Sequence, residues 1–272
     1  MAVNLAQKYS PVVDERFTIG TVTNVAFNRD YDWVGVKTVH VYSVSTVPQV
    51  NYQRTGANRY GTPTELQDTT QELTLTQDRA FTFTIDRGND IDQMNVKGAA
   101  RALRRQLDEI SIPELDTYRI AQLSANAGHI ETAPATTANA YTLFLAAQEY
   151  MGNNKVPAAG RIAYLSYGYF NLLKLDQNFV KQGDMSQAML TTGVMGMVDG
   201  IPLIPVPASY LPVNTQFILV HPVAATSPVK LVEMQIHVNP PGISGNLVEG
   251  RIYHDTFVLA NKKNAVYVSK SA

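Results

Sequence analysis

From Trp33 to Val47 the chain alternates. Val34, Val36, Thr38, His40, Tyr42 and Val44 fall on one face and Gly35, Lys37, Val39, Val41 and Ser43 on the other, a β-strand pattern rich in branched residues. Pro48 ends it. Gln49–Thr70 is polar, extended and without helical period, punctuated by Gly56, Gly61 and Pro63. Alternation returns with Leu73 and Leu75 and then Phe81, Phe83 and Ile85, with Thr74, Thr76, Thr82 and Thr84 opposite. These stretches predict one long two-stranded excursion. An isolated hairpin is marginal in water, so this one is expected to lie on another subunit. The chain therefore reads as an assembly protein rather than an enzyme.

Asp86-Arg87-Gly88-Asn89-Asp90 leads into a helix expected over Asp92–Asn126, about 50 Å long at the usual helical rise. Asp90 or Asp92 is its N-cap candidate. Met94, Leu103, Leu107 and Ile110 make an apolar stripe, and Arg101, Arg104 and Arg105 face elsewhere. Ser111-Ile112-Pro113-Glu114 has the form of a capping box with proline in the first turn, so a kink or a fresh helix start is expected there. Leu115, Tyr118 and Leu123 continue the apolar face towards Gly128.

Thr132–Asn139 is a linker of small residues, Tyr141–Met151 an amphipathic helix, Arg161–Ser166 a buried strand and Tyr167–Leu175 a short helix. Residues 179–197 are rich in Met and Gly and carry no clear pattern. Gly200–Pro207 reads as a strand whose prolines fit a sheet edge. Phe217–Val220, Lys230–His237, Gly250–Leu259 and Ala265–Val268 are further strands. Residues 1–30 are mixed: an extended arm anchored by Phe17, Ile19 and Val22 or, over the first ten residues, a disordered terminus.

The composition narrows the function. Of 272 residues 45% are hydrophobic and only 17% charged, below the usual charged fraction of about 25%, which leaves neutral surface for partners to cover. A net charge of −1 gives no basic footprint for tight nucleic-acid binding. Cysteine is absent, which excludes disulfides, thiolate metal sites and thiol catalysis. The N-terminus has no signal-peptide pattern and no apolar run approaches a membrane span, so a soluble protein made in the cytoplasm is expected.

No constellation points to catalysis. His40, His129, His221, His237 and His254 show no metal-ligand spacing, and each is read as structural. His254-Asp255 has no serine elbow or cysteine nucleophile to accompany it. Asp86, Asp90 and Asp92 lack the regular spacing and closing glutamate of a calcium loop and are read as a turn and helix cap. Gly193–Gly200 lacks the Lys-Ser/Thr of a phosphate-binding loop and is read as a flexible loop before a strand. Arg101, Arg104 and Arg105 suit a solvated helix face or an intersubunit salt bridge.

The order of these elements resembles the major capsid proteins of tailed phages, which have the Hong Kong ninety-seven-type fold. Ile112-Pro113-Glu114-Leu115-Asp116-Thr117-Tyr118-Arg119 resembles their spine segment, and Gly193 through Gly200-Ile201-Pro202-Leu203-Ile204 their axial passage. Arg251-Ile252-Tyr253-His254-Asp255-Thr256-Phe257-Val258-Leu259, followed by Asn261-Lys262-Lys263, resembles their closing strands. The resemblance implies an α+β fold. Residues 1–32 would be an N-terminal arm and 33–90 a strand pair carrying an extended loop with its tip near Gly56–Asp68. Residues 91–133 with 236–272 would form a peripheral domain with the spine helix, and 134–235 an axial domain.

The implied function is a structural subunit that assembles as hexamers and pentamers into an icosahedral phage head. The head encloses double-stranded DNA without sequence-specific binding. Phe17, Tyr52, Arg54, Arg59, Tyr60, Phe81 and Phe83 are the expected intersubunit contacts, because aromatic and arginine side chains often dominate interfaces. No catalytic residue, cofactor or metal is expected. The expected partners are other copies of the chain, a separate scaffolding protein (the excursion begins near residue 33, leaving no room for a fused one), a portal and decoration proteins, with no membrane. The implied location is the virion, after assembly in the bacterial host cytoplasm.

Some members of this family join subunits through an isopeptide bond from a loop lysine. Between Ser45 and Asp90 this chain has arginines but no lysine, and an arginine stays protonated, so an unlinked shell is expected. Two alternatives remain from the sequence: an encapsulin-like compartment around protein cargo, and a polymerising tail component, against which the long helix argues.

Overall fold

The computed structural model describes residues 21–31, 33, 37–92, 98–176 and 196–271. Phe17, Met94 and most of the Met- and Gly-rich passage lie outside the described residues. Strand β1 (Thr38–Val44) pairs antiparallel with β2 (Asp68–Thr74), with Thr38 opposite Thr74 and Val44 opposite Asp68. Residues 45–67 run out and back between them.

The alternation around Leu73–Ile85 hides a change of sheet. Strand β3 (Gln77–Asp86) leaves the β1–β2 pair and joins a three-stranded antiparallel sheet of order β10-β11-β3, with β10 at Val229–Val238 and β11 at Gly245–His254. Phe81 and Phe83 therefore stand in that sheet and not on the excursion. Leu73 and Leu75 are buried with Trp33 and Leu259 at the base of the excursion. Residues 73, 75, 81, 83 and 85 keep one parity across the break, so period two alone cannot show it.

The helical run also differs from the expected one. Asp86 Oδ1 accepts the Asn89 N–H at 3.1 Å and caps a six-residue helix α1 (Arg87–Asp92), so the cap lies ahead of the expected aspartates. Helix α2 (Ala99–Gln106) then passes through a wide π turn, Leu107–Ser111, into α3 (Ile112–Ala125). Pro113 starts no new helix. Ser111 has helical angles of −68° and −43° and makes no capping bond; Ile112 N–H reaches back to Leu107 O. The wide turn shifts the hydrogen-bond register just ahead of the proline, which has no donor to give. The run from Ala99 to Ala125 is thus unbroken and about 40 Å long.

A six-stranded sheet forms the centre. Its order is β4 (His129–Thr132), β13 (Val266–Lys270), β8 (Thr215–Val220), β5 (Ile162–Ser166), β7 (Ile201–Val206) and β6 (Met197–Val198). Every residue of β8 is buried. On one face Phe217, Leu219, Ala163 and Leu165 meet Phe144 and Met151 of α4 (Ala140–Asn153) and Leu173 of α5 (Tyr167–Leu175). On the other, Ile218, Val220, Ile162 and Tyr164 meet Ile120 and Leu123 of α3. Burying two faces explains why β5 and β8 read as continuous apolar runs.

Strand β7 is next to the edge rather than on it. Asp199 and Gly200, both at positive φ (49° and 77°), form the two-residue turn that joins β6 to β7, a Asp-Gly hairpin signal where a flexible loop was expected. Leu203 N–H donates to Gly196 O on the β6 side. Pro205, two residues on, presents its donor-less nitrogen to that side past the last β6 pair.

The closing strands divide as well. β11 ends at His254, Asp255 and Thr256 turn the chain, and β12 (Phe257–Val258) pairs with β9 (Ala225–Thr226). Sheet membership thus cuts across the ranges expected from sequence: β4 and β13 belong to the central sheet, while β10 begins before residue 236 and belongs to the three-stranded one.

Candidate assembly surfaces

The projecting loop exposes what a core would bury. Val47, Val50, Tyr52, Tyr60 and Leu66 are all exposed, Tyr60 by 85%, and on the strands below them Tyr42 is 70% exposed. The loop is shaped by its own backbone. Ser45 N–H donates to Gln67 O at 2.8 Å, Gln53 N–H to Arg59 O at 3.0 Å and Gly61 N–H to Asn58 O at 2.8 Å. Tyr52 and Tyr60 meet edge to face, ring centres 5.0 Å apart. Arg59 Nε donates to Gly56 O at 3.2 Å, and Arg54 stands exposed near the tip. Of the expected contact residues these four share one loop.

The base of the loop is fastened. Gln71 Nε2 donates to Val258 O at 3.1 Å while its Oε1 accepts the Ala260 N–H at 2.8 Å. Asn261 donates to Ser43 Oγ. Trp33 stacks on Phe257 at 5.5 Å. The excursion is therefore oriented at its root and unsupported at its tip.

Phe81 and Phe83 form a second pair, rings stacked 6.3 Å apart and half-buried. Gly250 lies opposite Phe81 in the ladder. A Cβ there would come 2.3 Å from the Phe81 ring, so the glycine is what lets the ring lie flat across β11. The helical run beside this sheet buries none of its residues from Ala99 to Ser111, and Ile110 is 47% exposed. Arg104 and Arg105 pair within that run, with Asp108 at 3.6 Å and Glu109 at 2.9 Å. Arg104, its side chain 85% exposed, stands on the solvated helix face that was one of the two uses expected of these arginines.

Two buried carboxylates hold the elements in place. Asp116 on α3 accepts Thr21 Oγ1 at 2.8 Å, Val22 N–H at 3.0 Å and Thr23 Oγ1 at 2.5 Å. Arg119, one turn on, donates to Thr23, Asn24 and Ser227 at 2.7–3.0 Å and lies 4.0 Å from Asp116. Burial lowers the Arg119 pKa from its ordinary value, against the pull of Asp116. Together they strap residues 21–24 onto α3. Asp255 does the same where the chain changes sheet. It accepts Thr76 N–H and Oγ1 at 2.8 Å, Thr256 N–H at 2.7 Å and the Tyr118 hydroxyl at 2.6 Å. Burial first, then this bond, pushes the Tyr118 pKa up to about 12. His254 beside it is buried, and burial lowers its pKa. The sequence signal for these residues was present: Asp116 and Arg119 sit one turn apart on a helix whose neighbours Ile120 and Leu123 are core.

Among the described residues no cluster of three or more His, Asp or Glu is placed to hold a metal ion, and no helix is long and apolar enough to cross a membrane.

No protein-family model and no curated protein sequence matches the chain. Solved structures match over nearly its whole length. A chain from Mycobacterium phage Che8 superposes with a TM-score of 0.79 at 20% identity, covering 97% of this chain and 96% of that one. The capsid structure of the cyanophage P-SCSP1u gives 0.74 at 12% identity, with 98% and 93% covered. The mature capsid of bacteriophage PhiM1 gives 0.73 at 11% identity, with 98% and 92% covered. The chain thus has the α+β fold of these phage capsids, the Hong Kong ninety-seven-type architecture that its element order resembles.

Proposed function

We propose that this protein is the major capsid subunit of a tailed phage, assembling as hexamers and pentamers into an icosahedral shell around double-stranded DNA. One observation carries the reading beyond the fold: an excursion bolted at its root presents exposed aromatic and aliphatic side chains that its own subunit leaves uncovered. Such a surface calls for a neighbour, and many copies of a weak contact add up in a closed shell. The three-stranded sheet with the helical run then forms the peripheral part, and the six-stranded sheet with α4 and α5 the axial part. A net charge of −1 suits DNA that is enclosed and later released. A scaffolding protein, a portal and decoration proteins belong to the same proposal, with assembly in the host cytoplasm.

The loop is tested by replacing Tyr52 and Tyr60 together with serine, co-expressing each protein with the products of neighbouring genes and sedimenting both. The wild type sediments as large particles and the variant as small species. Particles of wild-type size from the variant would contradict the role given to the loop. Because the loop offers no lysine from Ser45 to Asp90, wild-type particles boiled in SDS should run as one monomer band, and a ladder would overturn the unlinked shell.

A further inference from the structure

We propose that the free edge of β10 is a two-fold interface, in which β10 of one copy pairs antiparallel with β10 of another in a register centred on Gln235. This goes beyond the shell reading and does not depend on it. Among the described residues β10 pairs only with β11, which leaves its other edge without a ladder partner. The strand is ten residues long, and a long regular edge is a template for pairing. Its only irregularity, a register shift between Val229 and Leu231, lies at one end. From Leu231 to Val238 there is no proline and no lysine to blunt it.

The side chains select the partner. Val232, Met234, Ile236 and Val238 share the face that carries Phe81 and Phe83, yet Val232 is 59% and Val238 72% exposed. Leu231, Glu233, Gln235 and His237 share the other face. Directly opposite residues in a continuous sheet lie on one face, so a two-fold axis normal to the sheet runs between the two strands, level with a residue of β10. An axis at Glu233 would set Glu233 against its own copy, and one at His237 would do the same for histidine. An axis at Gln235 sets Glu233 of each copy opposite His237 of the other. It also pairs Val232 with Val238 and Met234 with Ile236, twice over. His237 already lies 3.3 Å from Glu249 of its own chain, so the register would place it between two carboxylates.

The chain has no cysteine, so an introduced one reports without background. Gln235→Cys in the full-length protein, oxidised and run on a non-reducing gel, should shift from monomer to dimer. Glu233→Cys and His237→Cys should each stay monomeric, because like residues then lie about 13 Å apart along the strands, beyond disulfide reach. An equal mixture of those two, assembled together, should form the dimer. The proposal is overturned if Gln235→Cys stays monomeric in assembled material, or if Glu233→Cys alone links as readily. The shell reading stands apart from this: particles without the Gln235→Cys dimer remove only the β10 interface, and dimers without particles remove only the shell.

Discussion

Residues 21–28 and residues 45–67 both lie outside the named strands and α-helices, and they solve opposite problems. The first is pinned to its own subunit, with Thr23 and Ala26 buried. Its threonines and backbone are tied to Asp116 and Arg119, Val22 O accepts the Tyr164 hydroxyl at 3.1 Å, and Asn28 N–H donates to Ala225 O at 2.9 Å. The second is exposed. It displays Val50, Tyr52, Tyr60 and Leu66 and bonds mainly to itself. The first segment stabilises the subunit; the second adds little to it and leaves its apolar surface for another chain. A segment outside the sheets and α-helices is therefore fold when its polar groups are bonded within the subunit, and interface when its apolar groups are left uncovered.

The comparison breaks most forcefully at Asp116. Asp116→Ala removes three acceptor bonds and leaves Arg119 buried without its carboxylate, so urea unfolding should show a loss of about 3–5 kcal/mol. A loss no larger than that of an ordinary surface substitution would mean that the strap is not what holds residues 21–24.

A smaller effect is expected from acid. Burial, with Arg119 and Arg79, holds the His254 pKa below its ordinary 6.5, while Asp255 and Glu114 pull the other way and lose. The unfolded chain therefore takes up this proton first as pH falls below that value, and the stability due to the neutral ring is lost towards acid. Unfolding of wild type and of His254→Phe between pH 7 and pH 5 should show the steeper loss in the wild type. Equal slopes would remove His254 from the account.

The smallest change in stability belongs to the loop. Tyr52→Ser with Tyr60→Ser should alter unfolding by no more than about 0.5 kcal/mol, although assembly is lost. A large destabilisation would show that the aromatic pair supports its own subunit and would undo the contrast.

Much of this was legible in the residues. The strand at Thr38–Val44, the helices at 140–153 and 167–175 and the aromatic loop follow from periodicity and from apolar residues set in polar surroundings. The change of sheet at Leu75–Thr76 was not, because parity survives it and its cause, Asp255, lies far along the chain. Pro113 misled for a related reason. A capping box and a π turn ahead of proline share the residues Ser111 to Glu114, and only the tertiary contacts of α3 decide between them. Asp116 and Arg119 carried a signal, paired charges among core positions, but their partners at residues 21–24 are long-range.

Electron microscopy of the purified full-length protein, alone and co-expressed with the products of neighbouring genes, tests the central claim most directly. Closed angular shells of uniform size, or tubes of hexamers, are the predicted result. Monodisperse small oligomers under every condition would contradict it.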